Sequence, residues 1–177
     1  MPTEISEEML NFIKLKENFK EKAYKDPTGT LTIGYGFTNA VSDYTGFIIK
    51  PNSRITKKEA SDLLRKLINN KFAKKVNKFD NIYHWTQNEF DALISFAYNV
   101  GSIDQLTDSG RRSKQEISKK LLEYNTSKGI MLNGLKERRE KEKEIFDRDS
   151  YKWGVDIQKA NYYTNLLNKG FKFQKNI

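Results

Sequence analysis

The sequence predicts an α+β chain, predominantly helical, with a small β-lobe near the N-terminus, a helical bundle after it and a cleft between the two lobes. Three observations carry this expectation. A turn signature flanked by strand formers falls within residues 22–35. Ser/Thr-x-x-Glu boxes at residues 56, 86 and 113 open stretches of helical periodicity. With 3 Pro in 177 residues, little room is left for long loops.

Taken in order, Ser6 caps a first helix, with Glu7 and Glu8 placed favourably in its first turn and Met9, Leu10, Phe12 and Ile13 as its apolar face. Asp26-Pro27-Thr28-Gly29 has the residues of a tight turn, and Leu31, Thr32, Ile33 and Tyr35 follow as a strand, giving a hairpin. A third short strand is expected around Gly46–Lys50. Thr56 then opens a long helix to about Lys78. Thr86 opens the most apolar segment, from Phe90 to Val100. Apolar residues almost all round it mark a central buried helix that ends at Gly101. Ser113 opens a third helix, and a highly charged one is expected from about Gly134 to Arg148. The tail from Ser150 reads as one more helix with a basic end.

Composition narrows the chemistry. Aromatic residues make up 12% of the chain, more than a disordered segment carries, so a folded core is expected over 1–177 as a single domain. The absence of Cys excludes disulfide scaffolds, iron–sulfur clusters and thiol catalysis. The single histidine, His84, makes no metal site, and no metal or other cofactor is expected. Its neighbour Trp85, just before the Thr86 cap, reads as a packing residue. The net charge of +9 calls for an anionic partner. The lysines are spread over every helix rather than clustered with aromatics, which argues against nucleic acid. No apolar run is long enough for stable membrane insertion, and the first residues lack the pattern of a signal peptide.

Glu17 lies four residues after Ile13 and seven after Leu10, so it ends the apolar stripe of the first helix. Partial desolvation and the negative end of the helix dipole both favour a protonated carboxyl there, as a general acid needs. Taken singly, the candidates have ordinary readings. Glu17 can face solvent at a frayed end, Asp before Pro starts turns, and Thr suits a strand. As a set, Glu17, Asp26 and Thr32 offer one acid on a helix end and a carboxylate with a hydroxyl on the next hairpin. That is a layout for inverting glycoside hydrolysis, in which the second pair holds a water.

Glu17-x8-Asp26-x5-Thr32, with Thr32-Ile33-Gly34-Tyr35-Gly36, resembles the phage-type lysozymes of glycoside hydrolase family 24. Ala92–Gly101 and Gly134-Leu135-x-x-Arg138-Arg139-x-x-Glu142 are similar to that family's central and C-terminal helices, so the resemblance covers about 5–148 and leaves 150–177 as an extension. It implies a lysozyme-like two-lobed fold and a muramidase that cuts the β-1,4 bond between N-acetylmuramic acid and N-acetylglucosamine. Glu17 is then the general acid, Asp26 the carboxylate that activates water, and Thr32 the residue that orients it. Thr38, Tyr98 and Asn99 match cleft-side, substrate-binding positions. Either Arg138 or Arg139 is placed to pair with Glu17 or a neighbour. The implied partner is bacterial peptidoglycan, reached by a monomer made in the host cytoplasm and released through a holin-type pore. Phe37 departs from the family's usual His, and Asp104–Arg112 lacks its usual apolar helix start. Two other readings remain open: a lysozyme fold retired from catalysis and used for wall binding, and a lytic transglycosylase, which needs the acid alone.

Overall fold

The structure, a computed structural model, describes residues 1–153. Helix α1 (Glu7–Glu17) starts at Ser6, whose hydroxyl accepts the Met9 amide at 3.2 Å. Strands β1 (Lys20–Lys25), β2 (Leu31–Gly34) and β3 (Phe37–Thr38) form an antiparallel sheet in sequence order. The β1–β2 turn closes through the Gly29 amide on the Asp26 carbonyl at 2.8 Å. Gly29 takes φ +83°, a backbone that residues with a Cβ avoid.

The strand expected at Gly46–Lys50 is not formed. After a short helix, α2 (Ser42–Thr45), Gly46 turns the chain, and the Asn39 side chain takes both backbone groups of Ile49, accepting its amide at 2.7 Å and donating to its carbonyl at 3.1 Å. A side chain thus replaces the strand partner. The third strand is β3, and the outer edge of β1 is met instead by residues 53–55, through Ala23 N to Ser53 O at 3.0 Å and Ile55 N to Glu21 O at 2.9 Å. The position where the family usually has His is a packing position here. Phe37 is buried edge-on to Tyr35, and its ring would meet a Cβ on Gly34 at 2.9 Å.

The long helix expected from Thr56 runs as α3 (Lys57–Leu67), a π-helical turn (Ile68–Phe72) and α4 (Ala73–Asn77). After α5 (Asp80–Tyr83), α6 (Gln87–Val100) crosses the core with Phe90, Leu93, Ile94, Phe96 and Ala97 fully buried. Gly101 ends it at φ +106°. Next come α7 (Asp104–Thr107) and α8 (Lys114–Leu121), then a two-stranded hairpin, β4 (Thr126–Ser127) and β5 (Ile130–Met131), which the sequence reading missed. Helix α9 (Asn133–Phe146) packs along α6 more extensively than any other helix pair. It stops two residues short of the expected end, where a single 3-10 turn, Asp147–Asp149, follows.

The three capping boxes form as expected. Thr56, Thr86 and Ser113 each accept the amide of the Glu three residues on, and that Glu accepts the cap residue's own amide at 2.7–3.0 Å. Trp85 is buried, stacked on Tyr83 at 4.3 Å, and its indole donates to the Val76 carbonyl at 3.1 Å, as a packing residue should. Trp153 packs on Phe146 at 5.2 Å, and the rest of the expected tail helix lies outside the described residues.

Candidate active site

Glu17 is the last residue of α1, and Asn18 turns the chain away at φ 58°. Leu10 and Ile13 beneath it are fully buried, so the apolar stripe ends at this carboxyl, whose side chain is 25% exposed. Its Oε1 accepts Arg138 Nη1 at 2.9 Å. Of the two candidate arginines it is therefore Arg138 that reaches Glu17. The Arg139 guanidinium does not reach Glu17; it lies 4.7 Å above the Phe96 ring, with Nη2 donating to the Asn99 side chain.

A buried network stands behind this pair. Glu142 Oε1 accepts Ser95 Oγ at 2.6 Å and Arg138 Nε at 3.2 Å, and Oε2 accepts Arg139 Nη1 at 2.7 Å. Arg138 Nη2 also donates to the Ser95 carbonyl at 3.1 Å. Burial pushes the Glu142 carboxyl up, and Arg139 leads the groups that oppose this. With two guanidiniums and a hydroxyl as donors, the group is carried as the anion. Ser95 had a signal in the sequence that was not used: a hydroxyl on a helix buried all round needs a partner.

Glu17 is shared by two recesses. One, of about 390 Å³, is lined by Lys16, Asn99, Leu132, Gly134, Leu135 and Arg138 besides Glu17. The other, of about 230 Å³, adds Tyr35, Gly36, Val41, Leu67, Phe72 and Tyr98. Tyr98 donates to the Tyr35 carbonyl at 3.2 Å, which ties α6 to the turn between β2 and β3. Burial first, and then the nearby Glu17 carboxyl, push the Tyr98 phenol up. Tyr35 and Phe72 were not singled out as site residues from the sequence, because their place depends on how the lobes meet.

Asp26 sits at the start of the β1–β2 turn. Its Oδ1 accepts the Thr28 hydroxyl at 2.6 Å, the Thr28 amide at 2.8 Å and the Thr30 amide at 2.9 Å. The Thr28 hydroxyl above all, then the Thr30 amide, holds the carboxyl below the usual aspartate range. All three of these donors fall on one oxygen, which leaves Oδ2 to other work. Thr32 is 4% exposed and donates its hydroxyl to the Thr30 carbonyl at 3.0 Å, so Thr30 links it to Asp26. Thr38 stands opposite Thr32 in the sheet but lines neither recess. The structure thus gathers Glu17, Tyr98, Asn99 and Arg138 at the groove, and joins Asp26 to Thr32 within the hairpin. Among the described residues, no group of three or more His, Cys, Asp or Glu is arranged to hold a metal ion.

The Asp26 turn yields a prediction for pH. If Asp26 works as an ionised group, being held low lets it keep its charge as the medium turns acid. Replacing Thr28 by Ala removes the largest cause of that lowering. The acidic limb of the activity profile is therefore expected to move to higher pH, with the basic limb unchanged. Hydrolysis rates across pH for wild type and Thr28→Ala test this, and an unmoved acidic limb would exclude a role for Asp26 as the ionised partner.

A helical bundle, a three-stranded sheet and a carboxylate at the end of the first helix, in the groove between them, define a lysozyme-like fold. Comparison with known proteins gives the same result. A family model described as phage lysozyme matches residues 14–142, and the chain belongs to that family. It is 36% identical to an endolysin of Bacillus phage B103 over 151 residues, covering 80% of this chain and 53% of the relative. It is 37% identical to that of Bacillus phage PZA over 153 residues, covering 81% and 55%. The chain thus spans about half the length of these curated relatives. Among solved structures, the muramidase domain of SpmX from Asticaccaulis excentricus superposes with a TM-score of 0.61 at 28% identity, covering 82% of this chain and 98% of that one. An endolysin from Escherichia coli O157:H7 phage FAHEc1 gives a TM-score of 0.57 at 30% identity, covering 84% and 95%.

Proposed function

We propose that the chain is a peptidoglycan hydrolase, a muramidase that cuts the β-1,4 bond between N-acetylmuramic acid and N-acetylglucosamine and so lyses bacterial cells. The observation that carries this reading is the place of Glu17. It is a largely buried carboxyl at the end of a buried apolar stripe, shared by both recesses and anchored by Arg138. Membership of the phage lysozyme family and likeness to endolysins support it.

In this reading Glu17 gives its proton to the glycosidic oxygen as the C1–O bond breaks. Asp26, ionised and with Oδ2 unengaged by its turn, takes a proton from a water whose oxygen bonds to C1. Thr32 keeps its oxygen lone pairs to hold that water, because its own proton is given to Thr30. Asn99 and Tyr98, which line the recesses, are read as substrate-binding residues, and so is Thr38, which pairs with Thr32 in the sheet. Residues 1–177 are read as one lysozyme-like domain with its core over 5–148. The chain would act as a monomer, made in the host cytoplasm and released to the wall with a holin's help. The net charge of +9 suits the anionic polymers of that wall. Among the described residues, no helix is long and apolar enough to cross a membrane.

Digestion of purified peptidoglycan, followed by mass spectrometry of the fragments, tests the proposal. Fragments ending in reducing N-acetylmuramic acid are expected. Anhydro ends would assign the chain to the transglycosylases. No cleavage on several wall types would leave the fold as a wall-binding module.

A further inference from the structure

We infer that Glu142 and Arg139, neither of which touches Glu17, are positioning residues that set the net charge presented to the cleft through Arg138, and thereby the pH range over which Glu17 works. The inference deepens the reading of Glu17 as the acid and rests on it.

The argument is one of charge in a closed space. Arg139 and Glu142 are fully buried and Arg138 is 4% exposed, so solvent screens little between them. Two guanidiniums share a single buried carboxylate, Glu142, which takes Arg138 on Oε1 and Arg139 on Oε2. Behind Glu17 the cluster therefore carries one surplus positive charge, and Arg138 Nη1 delivers it at 2.9 Å. The neighbours do not cancel it. From α1, Lys16 lines the same recess as Glu17, but its charge is matched by Glu137 at 3.6 Å. From α6, Ser95 and Asn99 are neutral donors or acceptors, and Tyr98 stays a neutral phenol. From the β2–β3 turn, Tyr35 offers a backbone carbonyl already taken by Tyr98.

One surplus charge is a compromise. As Glu17 releases its proton to the leaving oxygen, it becomes an anion, which Arg138 stabilises. A larger surplus would strip the proton too early, and none would leave the new anion without support. The cluster's orphan atom fits a tuned network: Arg139 Nε is buried with no hydrogen-bond partner among the described residues, so Arg139 is held there by Glu142, Asn99 and the Phe96 face rather than by full satisfaction.

The test uses substitutions of opposite sign. Glu142→Gln raises the surplus to two charges, so the basic limb of the pH–activity profile is expected to move to lower pH, by about 0.5–1 unit. Arg139→Gln lowers the surplus to zero, and the limb is expected to move to higher pH by a similar amount. The double variant restores one charge and should return the limb close to wild type. Ser95→Ala loses a hydrogen bond to Glu142 without changing charge and should leave the limb in place. Shifts of the same sign in both single variants, a fall in rate with no shift, or a shift in Ser95→Ala equal to that of Glu142→Gln would each reduce the cluster to a structural support. Should Glu142→Gln fail to fold, the upward shift in Arg139→Gln still decides the matter. NMR titration of the Glu17 carboxyl carbon without substrate separates the two questions. Opposed displacements without glycan cleavage would sink the hydrolase reading while the charge coupling to Glu17 stood, whereas cleavage without displacement would do the reverse.

Discussion

Glu17→Gln is expected to abolish glycan cleavage, lowering kcat by about 100- to 10,000-fold, the range that a positioned general acid contributes. The substitution keeps the shape and the acceptor oxygen that Arg138 binds at 2.9 Å, so the fold should stand. What it removes is the proton given to the leaving oxygen. Affinity for the glycan should change little, because both recesses keep their lining. Clearing of a cell-wall suspension and fragment analysis report the rate, and co-sedimentation with the wall reports binding. Cleavage that survives at more than a tenth of the wild-type rate would place the acid elsewhere. Loss of binding together with rate would recast Glu17 as a substrate contact.

Phe96→Ala is expected to destabilise the fold by about 3–5 kcal/mol, the cost of deleting a fully buried ring and leaving a cavity. At this chain length each kcal/mol lowers the melting temperature by roughly 2–4 °C, so a fall on the order of 10 °C should appear in a calorimetric scan. Phe96 is fully buried on α6, meets Tyr124 edge-on at 5.1 Å and lies under the Arg139 guanidinium at 4.7 Å. The cavity therefore opens beneath the charged cluster, and activity should fall below the melting temperature as well. A loss under 1 kcal/mol would show that the core around α6 collapses to fill the space.

The parts of the fold that were legible in the sequence are those decided locally. Each capping box closes within four residues, and all three formed. The Asp26 turn is likewise self-contained, which is why its donors come from Thr28 and Thr30. Glu17 was found by helical phase, since Leu10 and Ile13 fix which way α1 faces. The choice between Arg138 and Arg139 could not be made that way. Consecutive helical residues diverge by about 100°, and only the packing of α9 on α6 shows which one meets the cleft. The strand placed at Gly46–Lys50 failed for a related reason. Short edge strands are chosen by distant partners, and here Asn39 supplied a side chain where a neighbouring backbone was expected. The π-turn at Ile68–Phe72 left no trace, because its two buried residues, Ile68 and Phe72, stand four apart as they would on an ordinary helix.

The first helix packs on partners far along the chain, with α6 foremost among them. Ser6 N donates to Asp91, Gln87 donates to the Glu4 carbonyl, and Arg148 clasps Glu8 across 140 positions of sequence. For a chain emerging from the ribosome this imposes an order of events. Glu17 precedes its guanidinium partner Arg138 by 121 residues. The pairing of Glu17 with Arg138 can therefore form only after α9 has been synthesised. Long-range closure of this kind slows folding. It also means that the order of the helices along the chain is separable from their arrangement in space. A rearranged gene that encodes α1 after α9 should assemble the same groove by a shorter path.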